Sequence, residues 1–247
     1  MPLILCHSPK GGAGTSFIAG HLAMALAEAG AENGAEAGHG ATTTAIDMTR
    51  QDSLKLYFGL KPISRIPDLE APETQGLTLG GVSLRQGWRA AHAPGFAHAL
   101  DNGDLPFSGH RFVIADLASD DTALRDLLLP HAALLVVPVA PTALGLAALT
   151  QVIPGTPLID LDYTAFVLNR LDETRRFARN AHSFLRELLG GKLIGSIHED
   201  ESANEACAMG KLLPAYAPAS GALADIRALA GTIARICASP QAEEDAA

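Results

Sequence analysis

The chain has 247 residues, 48% of them hydrophobic and 18% charged, which is enough apolar side chain for one sizeable core and too much for a disordered chain. A net charge of −9 with 18 Lys and Arg excludes a broad nucleic-acid-binding face, because affinity for phosphate backbones needs clustered basic side chains. Cys6, Cys207 and Cys237 have an odd count and no metal-ligand spacing, so neither a disulfide framework nor a zinc site is expected, and the setting reads as cytoplasmic.

From the N-terminus, LILC at 3–6 reads as a short buried strand, with too little apolar length for a signal peptide. It runs into SPKGGAGTS at 8–16, and helical periodicity begins at once over 15–29. In such a turn Gly11, Gly12 and Gly14, with Ala13 between them, let the backbone curl so that successive N–H groups face a phosphate. The positive end of the helix stands behind them. Ser16 sits where a hydroxyl holds Mg²⁺. The pattern G-x-x-x-x-G-K-[ST] is met only in part, because Thr15 takes the place of its lysine.

The glycine-rich segment 31–41 reads as a flexible connection, and TTAIDM at 43–48 as the next strand. Residues 61–110 are rich in Pro and Gly with weak periodicity, and no element stands out there. Strands follow at FVIADL, ALLVVPV, AFVLN and LIGSI, with helical stretches at 121–129, 142–152, 172–189 and 220–236. The apolar run 132–149 is broken by Pro138 and Pro141, and the tail at 241–247 is acidic, so direct membrane insertion is not expected. This alternation predicts an α/β domain over 1–240, a mostly parallel sheet flanked by helices on both faces, followed by a disordered tail. Asp47 and Asp116 each end an apolar strand. A carboxylate there can hold Mg²⁺ through water, and it can equally form a turn or cap a helix.

The order of these segments resembles the MinD/ParA family of P-loop ATPases, in the SIMIBI class. KGGAGTS is similar to the family's deviant loop, whose early lysine here is Lys10. AIDMTRQDS matches its second-strand aspartate motif, RFVIADLAS its Walker B strand, VLNR its adenine-contacting segment, and SIHEDESANEACAMGKLLPAYAPAS its closing motif. Within the family, GGAGTS, IDMTRQDSLKLYFGL and the RQGW ending at Trp88 resemble the MinD-like branch of bacterial cellulose biosynthesis.

The resemblance implies ATP and Mg²⁺ as cofactors. Lys10, Gly11, Gly12, Ala13, Gly14, Thr15, Ser16, Phe17 and Asn169 would contact the nucleotide, and Ser16, Asp47 and Asp116 would hold the metal. It implies a homodimer in which Lys10 reaches the partner's phosphates. It also implies docking onto a membrane-embedded cellulose synthase complex with a small accessory protein. Hydrolytic members carry an aspartate two residues after Asp47, and here that residue is Thr49. The charge on the phosphates and the carboxylate that orients water are both missing, so hydrolysis is expected to be slow or absent. An active ParA-like ATPase positioning another cargo is the alternative. A dinucleotide-binding oxidoreductase fails, because G-x-G-x-x-G is not present.

Overall fold

The computed structural model describes residues 2–32, 43–105, 112–150, 152–153 and 155–238. The expected flexible connection beyond Glu32 and the acidic tail lie outside the described residues. In chain order, β1 (Leu3–Cys6) leads to α1 (Thr15–Glu32) and β2 (Thr43–Asp47), and then to a 3-10 turn at Leu54–Phe58. The hairpin β3 (Leu77–Leu79) and β4 (Val82–Gln86) precedes two short helices, α2 (Trp88–Ala91) and α3 (Phe96–Asp101). Next come β5 (Phe112–Asp116), α4 (Thr122–Leu128), β6 (Leu134–Val139), α5 (Ala143–Ala147) and the small pair β7 (Val152–Ile153) and β8 (Thr156–Pro157). The chain continues through β9 (Thr164–Leu171), α6 (Arg176–Leu189), β10 (Leu193–His198), α7 (Glu201–Ala208), α8 (Leu213–Tyr216) and α9 (Gly221–Ala238).

The main sheet runs β10-β9-β6-β1-β5-β2-β4-β3, parallel throughout except for β3 against β4. Its two faces are covered separately. Ile4 and Cys6 point into a cluster with α1 and α9, while Leu3 and Leu5 point into one with α3, α4 and α6. Strands buried on both faces read as apolar runs, and β1, β5 and β6 are buried at every position, with Asp116 at the end of β5 the one charged side chain among them. On α1, Ile18, Leu22 and Leu26 are 0%, 0% and 2% exposed, so truncating any of them to alanine costs about 2–5 kcal/mol.

Most expected elements fall where the sequence places them, with three differences. The helix expected at 142–152 stops at Ala147, gives way to a 3-10 turn at Ala148–Thr150, and is followed by β7. The helix expected at 172–189 starts at Arg176, because Asp172 accepts the backbone N–H of Thr174 at 2.9 Å and closes a turn first. The stretch 61–110 contributes β4 to the main sheet beside β2. That strand is hidden in the sequence because Arg85 is buried in it, its guanidinium donating to the Ala71 carbonyl at 2.9 Å.

Candidate functional site

The C-terminal ends of β1, β5 and β2 put Cys6, Asp116 and Asp47 side by side in register. In an open parallel sheet this edge is where ligands bind. The loop leaving β1 turns through Gly12 (φ 82°) and Gly14 (φ 89°), left-handed conformations that cost a side-chain-bearing residue about 1–2 kcal/mol. The first bond of α1 that reaches back into the loop runs from the Ile18 N–H to the Gly14 carbonyl at 3.0 Å. Among the described residues, no hydrogen bond is donated by the backbone N–H groups from Gly11 through Phe17. A run of undirected donors at the positive end of an 18-residue helix is built for an anion.

Asn169, at the end of β9, donates from Nδ2 to the carbonyl of Ala13 at 2.8 Å and is 2% exposed. A Cβ on Gly14 would stand 2.1 Å from that nitrogen. Asn169 therefore pins the glycine loop from behind.

The two aspartates behave differently. Asp47 is fully committed: its Oδ1 accepts the Thr49 N–H (2.8 Å) and hydroxyl (2.6 Å), and its Oδ2 accepts the Leu54 N–H (2.9 Å). Burial raises its pKa, and these bonds work against that shift. Asp116 is 0% exposed, and among the described residues neither of its carboxylate oxygens has a hydrogen-bond partner. Burial and the neighbouring Asp47 charge raise its pKa well above the usual range. The Ser16 hydroxyl offsets part of the rise from outside good hydrogen-bond geometry. An orphaned buried carboxylate beside a serine hydroxyl fits a Mg²⁺ ion held jointly with phosphate oxygens. Thr49 turns its hydroxyl onto Asp47 and so braces the second strand.

A cleft of about 590 Å³ opens in front of the loop, lined by Gly11, Gly12, Gly14, Thr15, Ser16 and Phe17 on one side and by Thr49 and Arg50 on the other. Through Phe17, Tyr57 and Arg170 it continues into a smaller cavity bordered by Asn169, Glu199, Asp200 and Asn204. Phe17, His21 and Tyr57 form an aromatic cluster with ring centroids 4.4–5.8 Å apart. Lys10 and Ala13 line an adjoining cavity, which shares Gly11, Gly12 and Arg170 with the cleft, together with Arg175, Leu144 and Phe177. The sequence reading did not single out Tyr57 or Arg170. Tyr57 lies inside the quoted stretch IDMTRQDSLKLYFGL, and Arg170 directly follows Asn169 with φ 58°, a left-handed conformation that only a structure reveals.

This frame is matched closely by solved structures. A ParA family ATPase from Chlorobium tepidum superposes with a TM-score of 0.71 at 19% identity, covering 93% of this chain and 97% of its own. The fold is that of the MinD/ParA ATPases. Pyrococcus horikoshii MinD, solved with Mg-ADP, gives 0.69 at 17% identity over 96% of this chain and 97% of its own. A point-substituted McdA from Cyanothece, solved with ATP, gives 0.66 at 16% over 98% of each chain. No protein-family model and no curated relative matches the sequence. Among the described residues of this MinD/ParA fold no helix is long and apolar enough to cross a membrane.

Proposed function

We propose that the chain binds ATP with Mg²⁺ in the cleft before the glycine loop and works as a nucleotide-dependent assembly or localisation factor with weak or no hydrolysis. The observation that carries this reading is the pairing of free loop N–H groups with the orphaned Asp116 carboxylate beside Ser16. Phosphates satisfy the first, and a divalent ion satisfies the second. Mg²⁺ held by Ser16 and Asp116, with Asp47 behind them, would neutralise phosphate charge. Thr15 contributes its N–H and hydroxyl to phosphate binding but no cation. Thr49 commits its hydroxyl to Asp47, so no carboxylate is placed there to orient water. The cavity bordered by Asn169, Phe17 and Tyr57 is the place for the adenine and ribose.

The cavity at Lys10 supports a homodimer. Lys10 is exposed and lines this adjoining cavity rather than the cleft that Thr15 and Ser16 line, and Leu144 and Phe177 in the same wall are 66% and 51% exposed. A second copy set against this rim would cover those side chains and bring each Lys10 toward its partner's nucleotide. Thr15 in the loop and the sequence matches described above carry a resemblance to BcsQ, the MinD-like protein of bacterial cellulose biosynthesis. In that reading the dimer stays cytoplasmic and is recruited to a membrane-embedded cellulose synthase complex through a small accessory protein. The competing reading, an active ATPase that positions another cargo, rests on neighbours such as the putative plasmid partition protein of Borrelia burgdorferi bound to AMPPNP. Titration calorimetry with ATP·Mg²⁺ together with a phosphate-release assay separates them. Tight retention without turnover supports an assembly factor, sustained turnover supports the second reading, and no binding by folded protein removes both.

A further inference from the structure

Beside the cleft, a second cavity of about 490 Å³ is lined by Arg50, Arg65, Arg89, Asp52, Gln86 and Trp88. In a chain of net charge −9 the convergence of three arginines is unusual, and among the described residues none of the three makes a hydrogen bond or an ion pair. The carboxylates nearby do not neutralise them. Asp52 gives its Oδ2 to Lys55, and Asp68, also in the wall, is exposed and makes no ion pair among the described residues. The opposite need is also present: among the described residues Asp52 Oδ1 and Gln86 Oε1 are buried acceptors without a partner. Asp52 is held at φ 51°, a strained conformation for a residue with a side chain. Trp88 is half-buried in the wall, its ring 5.0 Å from that of His92.

Guanidinium forks suit phosphate oxygens, a carboxamide oxygen and a free carboxylate oxygen suit N–H donors, and an indole suits a flat ring. A volume of this size is that of a small-molecule site. We propose that this cavity binds a phosphate-bearing small molecule with a flat, N–H-bearing ring, at a site separate from the glycine-loop cleft. Arg50 lines both spaces and directly follows Thr49, so occupancy of one site alters the other. This coupling rests on the ATP reading above, whereas the site itself does not.

Trp88 is the chain's single tryptophan, so its emission reports on this cavity. The test titrates inorganic pyrophosphate and, separately, AMP against Trp88 fluorescence in the parent, in Gly12→Val and in the double variant Arg65→Gln with Arg89→Gln. Both arginines are exposed and unpaired among the described residues, so the double variant keeps the fold, which a melting curve verifies. The expected result is a saturable change in the parent that persists in Gly12→Val. In the double variant its dissociation constant is weakened at least about tenfold, as loss of charge-assisted bonds implies. Saturating ATP·Mg²⁺ should shift the parent's constant for the probe, and the probe should shift that for ATP by the same factor. No saturable change, a change equally strong in the double variant, or saturation by polyglutamate peptide alone would overturn the site. An unchanged constant with ATP present would overturn the coupling. Failure of ATP to bind in calorimetry would strike the ATP reading and leave the fluorescence result standing.

Discussion

Replacing Asp116 by asparagine separates what this residue does for function from what it costs the fold. Asp116 is fully buried, and among the described residues both of its oxygens lack partners. A buried polar group left unsatisfied costs about 1–3 kcal/mol, and more when it is charged. Asparagine keeps the shape and removes the charge beside Asp47, but it still leaves an amide without partners, so the net gain should be about 1–2 kcal/mol. For a chain of this size that raises the melting temperature by about 2–8 °C without nucleotide. ATP·Mg²⁺ at about a hundredfold its dissociation constant stabilises the parent by about 2.7 kcal/mol. A neutral amide brings the metal no negative charge and holds it more weakly than a carboxylate, so most of that increment disappears in the variant and the order of the two melting points reverses. Differential scanning fluorimetry with and without ATP·Mg²⁺ measures both halves. If the variant melts below the parent in the absence of nucleotide, Asp116 is not an uncompensated charge waiting for a cation, and the argument for the metal site fails.

Gly14→Ala should weaken ATP binding at least about tenfold by calorimetry and cost about 2 kcal/mol of stability. A Cβ at φ 89° and 2.1 Å from Asn169 Nδ2 drives the amide off the Ala13 carbonyl. Asn169→Ala, which removes the bond without a clash, should cost less on both counts. Burial lowers the pKa of His21 to about 4, with its bond to the Phe17 carbonyl pulling the other way. The unfolded chain therefore takes up a proton as pH falls through about 6.5 while the folded chain does not until about 4. Stability contributed by neutral His21 is complete above that window and is lost within it, about 2 kcal/mol between about pH 7.5 and 5. Denaturant midpoints at the two pH values should differ by that much less in His21→Leu, and equal pH dependence would refute the assignment. Thr15→Lys should raise phosphate release. Thr49→Asp alone should lower stability, because it removes a hydroxyl donor from Asp47 and adds a like charge. The pair should gain turnover over the parent while melting lower, and a pair that binds ATP but hydrolyses no faster would place the block elsewhere.

The layered architecture was legible because parallel strands buried on both faces read as unbroken apolar runs, and five of the six strand segments named from sequence form the interior of the sheet. The glycine loop was legible for a related reason: Gly12 and Gly14 mark the positive φ angles that the turn requires. What stayed hidden depended on long-range contacts. By sequence Asp47 and Asp116 share one metal-holding role, and only the positions of Thr49 and Leu54 show one carboxylate saturated and the other bare. Asn169, expected at the adenine, borders the smaller cavity and donates its amide to the Ala13 carbonyl of the loop. β4 escaped notice because a buried arginine imitates a surface residue, and Arg50, Arg65 and Arg89, apart in the sequence, meet around one space only in the fold.

The bond from Asn169 to Ala13 joins positions 156 residues apart. On the ribosome the glycine loop emerges well before the amide that fixes its shape, which comes only with β9, after β5 and β6 have been made to flank β1. Nascent chains halted before that strand carry every glycine of the loop in an unfixed form. On the proposed ATP reading, a chain cut short before β9 lacks the bond that shapes its phosphate loop and should bind the nucleotide more weakly than a chain that has passed that point.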